Sequence, residues 1–214
     1  MRRLALAALV IGAVGAGAAG YLAYERHARL AATPPAPGEA PPVRLAERIP
    51  EFKLADRDGT LRSLTDWQGK SLIVNFWATW CAPCRREIPL LGRLQERYGP
   101  GGFQVIGIAA DYRDKVLAYA DQAKIGYPLL IGEQDALDAA AAFGIEIVGF
   151  PFTVFSDSQG RIIVCHVGEL TEPIAEVILG TVEQVNEGRV SLEAARSQIA
   201  SGIAGLKAGT GRQD

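Results

Sequence analysis

The stretch "NFWATWCAPCRREIP", residues 75–89, sets Cys81 and Cys84 three apart between an apolar run and a helix-like run. Upstream, "SLIVNFW" (71–77) is nearly all apolar, the pattern of a strand buried on both faces. Downstream, "APCRREIPLLGRLQERY" (82–98) repeats Ile88, Leu91, Leu94 and Tyr98 at helical spacing. The two cysteines therefore fall where a strand hands over to a helix. A thiol at that point meets unpaired amide hydrogens and the positive end of the helix dipole, and both stabilise a thiolate. In C-x-x-C motifs so placed the first cysteine's pKa falls from about 8.5 to about 3.5–7.5. Pro83 suits the first helical turn, where its missing N–H is no loss.

Three chemistries compete for this pair. As a dithiol, Cys81 attacks a partner disulfide, and Cys84, one turn on, resolves the mixed disulfide. As half of a metal site, the pair needs two more ligands, and Cys165 with His166 could nominally make Cys3His. Adjacent strand residues point to opposite faces, which argues against those two sharing one zinc. A copper site calls for more than Met1 and two histidines. As inert packing, both would be small buried hydrophobes. The dithiol reading fits the local pattern best, and no metal is expected.

Working outward, "FKLADRDGTLRSL" (52–64) predicts a hairpin turning at residues 56–59. "FQVIGIAA" (103–110) is a second buried strand, with a helix expected over about 113–125. "YPLLIG" (127–132) reads as a short strand and "QDALDAAAAFG" (134–144) as an Ala-rich helix closing on Gly144. Residues 152–156 and 161–167 flank "DSQG" as a second hairpin. Residues 171–186 form a helix with Ile174, Val177, Ile178 and Val185 on one face. Ser191 is placed to cap a last helix carrying Leu192, Ile199, Ile203 and Leu206, expected to dock on the domain. Strand–helix–strand units followed by a hairpin and a helix imply an α/β fold, a central mixed sheet flanked by helices.

The first 24 residues set the expected compartment. "LALAALVIGAVGAGAAGYLAY" (4–24) carries no charge and would span roughly 31 Å as a helix, enough to cross a bilayer core of about 30 Å. Arg2 and Arg3 before it favour export of the remainder of the chain. An uncleaved anchor is the favoured reading; Ala16-Gly17-Ala18 also fits a signal-peptide cleavage pattern. Residues 25–42, with "AATPPAPGEAPP", read as a semi-rigid Pro/Ala-rich linker. Residues 43–186 form the domain, and 187–214 its C-terminal helix and tail. A net charge of −2 and no basic stripe argue against nucleic acid. Three cysteines are too few for a disulfide scaffold, but an exported chain can keep a disulfide.

"FWATWCAPC" resembles the active-site segment of the thioredoxin superfamily, and the wider pattern resembles its membrane-anchored TlpA/ResA branch. That branch shares "P-x-F-x-L-x-D-x-D-G-x-x-x-S-L", here at 50–64, and "W-C-x-P-C-x-x-E-x-P", here at 80–89. It also shares a late "G-x-P…D-x-x-G-x-I", here Gly149, Phe150 and Pro151 with Asp157, Gly160 and Ile162. The resemblance covers residues 43–186. It implies a thioredoxin fold with an N-terminal hairpin and a helical insertion. The implied activity is that of an extracytoplasmic thiol–disulfide reductase, in a branch serving cytochrome c maturation, oxidase assembly or other secreted thiols. No cofactor is implied beyond a redox-active Cys81–Cys84 disulfide.

On the same ground Pro151 is expected to be cis, with the bulky Phe150 before it. Trp80, Ala82, Pro83, Phe150 and Pro151 are the expected substrate-contact residues. Asn75 stands where cytoplasmic thioredoxins carry a buried acid, and an amide cannot be a base. Glu87 matches the acid of the ResA-like branch and could manage the Cys84 proton; an acid early in a helix is also favoured by the dipole alone. Cys165 is expected to pack in the sheet and His166 to lie on the strand surface. Arg85 and Arg86 read as solvated helix charges. "CAPC" lacks the histidine of strong oxidants, so reduction of protein disulfides is the expected direction, with a membrane electron donor to recharge the dithiol. The alternatives are a docking or metal-delivery module, and a thiol peroxidase, for which no proline-threonine peroxidatic loop precedes a cysteine.

Overall fold

A computed structural model describes residues 45–145 and 149–210. The proposed anchor and linker, residues 1–24 and 25–42, lie outside them. Among the described residues no helix is long and apolar enough to cross a membrane.

The chain organises around β3 (Ser71–Trp77), in which all seven residues are buried. It runs parallel to β4 (Phe103–Ala110), with Asn75 opposite Gly107, and antiparallel to β6 (Phe152–Ser156), with Asn75 opposite Thr153. Beyond β4 come β5 (Leu129–Gly132) and the hairpin β1 (Leu54–Asp56) and β2 (Leu61–Arg62); beyond β6 comes β7 (Ile162–Val167). The order is β2-β1-β5-β4-β3-β6-β7, a mixed sheet. The expected hairpin forms, and β1 joins it to the sheet by pairing antiparallel with β5 through Ala55 and Ile131.

Strand alternation sends Ile73 and Trp77 to one face and Val74 and Phe76 to the other. Helices α1 (Ala82–Tyr98), α2 (Arg113–Gln122), α4 (Glu172–Asn186) and α5 (Leu192–Thr210) pack residues such as Ile88, Leu91, Val116, Ile178 and Ile199 on the first face. Helix α3 (Gln134–Ala142) covers the second with Ala136, Ala139 and Ala140. There Phe76 stacks on Phe152 at 4.5 Å and meets Phe143 edge-on at 5.7 Å. Covering both faces explains why the central strands read as unbroken apolar runs.

Both hairpins turn on the same chemistry. Asp56 Oδ1 accepts from the amides of Asp58 and Thr60, and Asp157 Oδ1 from those of Gln159 and Arg161. Gly59 and Gly160 supply the left-handed residue, at φ +85° and +73°.

One boundary differs from expectation. Helix α2 ends at Gln122, because Lys124 takes φ +53° and turns the chain. Helix α3 runs to Ala142 and closes on Gly144, at φ +76°, as expected. Helix α5 docks as expected: the Ser191 hydroxyl accepts from the Ala194 amide, and Ala195 and Ile199 are buried. Arg196 donates to the carbonyls of Ile162 and Ile163, so the helix also satisfies backbone groups of β7.

Candidate active site

At the end of β3 the chain leaves the sheet through Ala78, Thr79 and Trp80 and enters α1. Cys81 is the N-cap residue, with extended backbone, and its sulfur accepts from the Cys84 amide at 3.2 Å. Pro83 lies in the first turn. Cys81 and Cys84 are joined as a disulfide, with their Cα atoms 5.3 Å apart. Cys81 is 5% exposed and Cys84 is fully buried. The outer sulfur is thus the one nearer solvent, at the positive end of a 17-residue helix.

The surroundings sort the expected contact residues. Trp80 is 67% exposed beside the disulfide, while Trp77 is a core side chain. Trp80 lies 6.0 Å from the ring of Phe150, and Phe150 stacks in turn on Phe152. The Phe150–Pro151 peptide is cis, as expected, and the Pro151 carbonyl accepts from Gly168. Ala82 is exposed and Pro83 half-buried. Trp80 and Phe150 thus form an aromatic patch at the edge of the dithiol.

Glu87 is buried, at 1% exposure, one turn beyond Cys84 on the same helix. Its Oε1 accepts from Asn75 Nδ2 at 2.7 Å and its Oε2 from the Leu170 amide at 2.6 Å. Asn75 Nδ2 also donates to Thr153 Oγ1 at 3.0 Å. Burial pushes the Glu87 carboxyl up to about 7, against the pull of the two hydrogen bonds. Asn75 is therefore not a bystander where an acid would otherwise be: it orients the acid that arrives from α1.

Asp111, just past β4, is a feature that sequence reasoning missed. Its Oδ2 accepts from the Thr79 amide and hydroxyl, and its Oδ1 from the Tyr112 amide. It holds the loop that presents Trp80 and Cys81. The available signal was an acid directly after a largely apolar strand, at the carboxyl end of a parallel pair where sites gather.

Arg86 is not a free helix charge; its guanidinium grips Glu169 through two nitrogens, at 2.5–3.1 Å. Cys165 packs with the core on the second sheet face, away from the disulfide, and burial pushes its thiol up to about 11. His166 is half-buried rather than on the strand surface, with Nε2 3.3 Å from the Glu169 carbonyl oxygen, and burial lowers its pKa. Among the described residues no cluster of three or more His, Cys, Asp or Glu is placed to hold a metal.

The AhpC/TSA family model matches residues 45–164 of this chain. Thioredoxin-like protein YneN of Bacillus subtilis is 33% identical over 134 residues, 61% of this chain and 75% of that protein. Thiol-disulfide oxidoreductase ResA of Geobacillus thermodenitrificans is 30% identical over 131 residues, 61% and 73% of the two chains. The chain belongs to the AhpC/TSA family and is TlpA/ResA-like. A secreted thiol-disulfide isomerase from Corynebacterium glutamicum superposes with a TM-score of 0.56 at 26% identity, covering 64% of this chain and 92% of that one. This TlpA/ResA-like chain is a thiol–disulfide oxidoreductase with a thioredoxin-like fold, its close cysteine pair at the start of α1.

Proposed function

We propose that the chain is an N-terminally tethered, extracytoplasmic reductant of protein disulfides. The observation that carries the reading is the disulfide at the start of α1, with the exposed Trp80 beside it and the buried Glu87 carboxyl one turn further along the helix. The apolar run 4–24 and the similarity to a secreted isomerase support the location. The membrane is engaged through that run, and no nucleic acid is a partner.

In the reduced protein the Cys81 thiolate attacks one sulfur of a partner disulfide, forming a mixed disulfide and releasing a partner thiolate. Cys84 gives its proton to the Glu87 carboxylate and attacks the Cys81 sulfur. The mixed bond breaks, the second partner thiolate leaves, and the Cys81–Cys84 disulfide forms. Two electrons pass to the partner, and no cofactor beyond the cysteine pair takes part. Trp80, Ala82, Pro83, Phe150 and Pro151 form the face on which the partner lies. The oxidised pair is recharged by a membrane electron donor.

Equilibrating the domain with glutathione buffers tests the direction. Related dithiols range from about −270 to −120 mV, and a reductant should fall more negative than about −180 mV. A value near −120 mV would make the protein an oxidant and overturn the proposal.

A further inference from the structure

The link between β7 and α4 is a short turn, and two parts of the active site lean on it. Gly168, at φ +99°, donates its amide to the Pro151 carbonyl at 2.9 Å. Leu170, 2% exposed, donates its amide to Glu87 Oε2 at 2.6 Å. Between them the Glu169 carboxylate meets Arg86, whose Nε and Nη2 reach it at 2.5–3.1 Å. Consecutive residues of α1, Arg86 and Glu87, thus grip consecutive residues of the turn. A two-pronged arginine–carboxylate pair fixes orientation as well as distance.

The pair lies at the surface, with side chains 61% and 33% exposed, so it adds little to global stability. Its effect is local. Strand β7 ends at Val167 and α4 begins at Glu172, so the turn belongs to neither element. Charge points the same way. The Glu169 carboxylate strengthens the hold of Glu87 on its proton, and the Leu170 amide weakens it. Arg86 offsets the first effect and steadies the second. The other titratable groups facing Glu87 are Cys84, one turn back on α1, and Tyr127, ahead of β5. His166 lies against the Glu169 carbonyl, with the charge of Lys207 beyond it.

We propose that Arg86 and Glu169 are positioning residues for disulfide exchange: their ion pair holds the 168–170 turn, and the turn keeps the Glu87 carboxyl and the Pro151 backbone in register. This rests on the reading that Glu87 takes the Cys84 proton and that the partner lies on Pro151. Both residues act through the turn, one end of which meets the proton acceptor and the other the docking face.

Arg86→Gln removes the charge and the fork. Amide exchange at Leu170 then speeds up about threefold to fivefold. The Glu87 titration, followed by carboxyl 13C NMR, moves up by about half a pH unit, because the amide loosens and Glu169 loses its counter-charge. A role in stability alone would leave that titration in place. Release of the mixed disulfide slows about threefold to fivefold, and by less than twofold in a Glu87→Gln background. KM for a protein disulfide rises about as much in both backgrounds. Adding Glu169→Gln to Arg86→Gln slows release no further, since either change opens the same clamp. An unmoved titration, unchanged exchange at Leu170, or additive rate losses in the double variant would each overturn the proposal. If Glu87→Gln alone leaves release untouched, the role given to Glu87 fails instead, while Leu170 exchange and the protein-disulfide KM still judge the clamp.

Discussion

Reduced protein carrying Cys84→Ser accumulates a covalent adduct with a protein disulfide, and Cys81→Ser gives neither adduct nor turnover. Both variants lose turnover by at least roughly a thousandfold, because removing either sulfur removes a covalent step and not a contact. The difference between them follows from position. Cys81 is the N-cap residue next to the exposed Trp80, and Cys84 is fully buried behind it. Only Cys81 can meet a partner first; only Cys84 stands ready to displace the partner that Cys81 has captured. Mass spectrometry of the trapped adduct, with peptide mapping, checks the assignment. Adducts forming equally well on Cys84 in the Cys81→Ser protein would reverse the roles.

Glu87→Gln should slow release of the mixed disulfide about a hundredfold, the usual size for loss of a positioned proton acceptor. A glutamine amide cannot take the Cys84 proton, and its one oxygen cannot accept from both Asn75 and Leu170 as the carboxylate does. The same residue sets a pH dependence of stability. Its folded value of about 7 lies above the reference 4.5, so between these pH values the native state holds a proton that the unfolded chain has lost. Stability therefore falls as pH rises through that window, by about 3 kcal/mol in all, and levels off above it. Urea midpoints of the oxidised protein at pH 5 and pH 8 check this. The wild type should lose stability between them and Glu87→Gln should not; parallel behaviour would remove Glu87 as the cause.

Much of the architecture was legible because the central strands are covered on both faces. "SLIVNFW" and "FQVIGIAA" could hardly be anything but inner strands, and α1 carried its own periodicity. The cysteine pair was legible for a local reason, since strand, loop, cap and helix succeed one another without a break. The features that escaped came from register between distant segments. Asn75 meets Glu87 because β3 and α1 pack on one sheet face, and Thr79 meets Asp111 because β3 and β4 end side by side. The hairpin 52–64 was recognisable, but its pairing with β5 depends on the order of the whole sheet. His166 read as a surface residue because alternation along β7 says nothing of the chain that returns past it at Glu169.

The central claim is that Cys81 is held as an accessible thiolate at the start of α1. Alkylating the reduced protein across pH, with the rate resolved for each cysteine, tests it most directly. Cys81 should react first, with a midpoint below about 7.5, while Cys84 and Cys165 lag. A midpoint for Cys81 at the ordinary value of about 8.5, or Cys84 reacting ahead of it, would contradict the account.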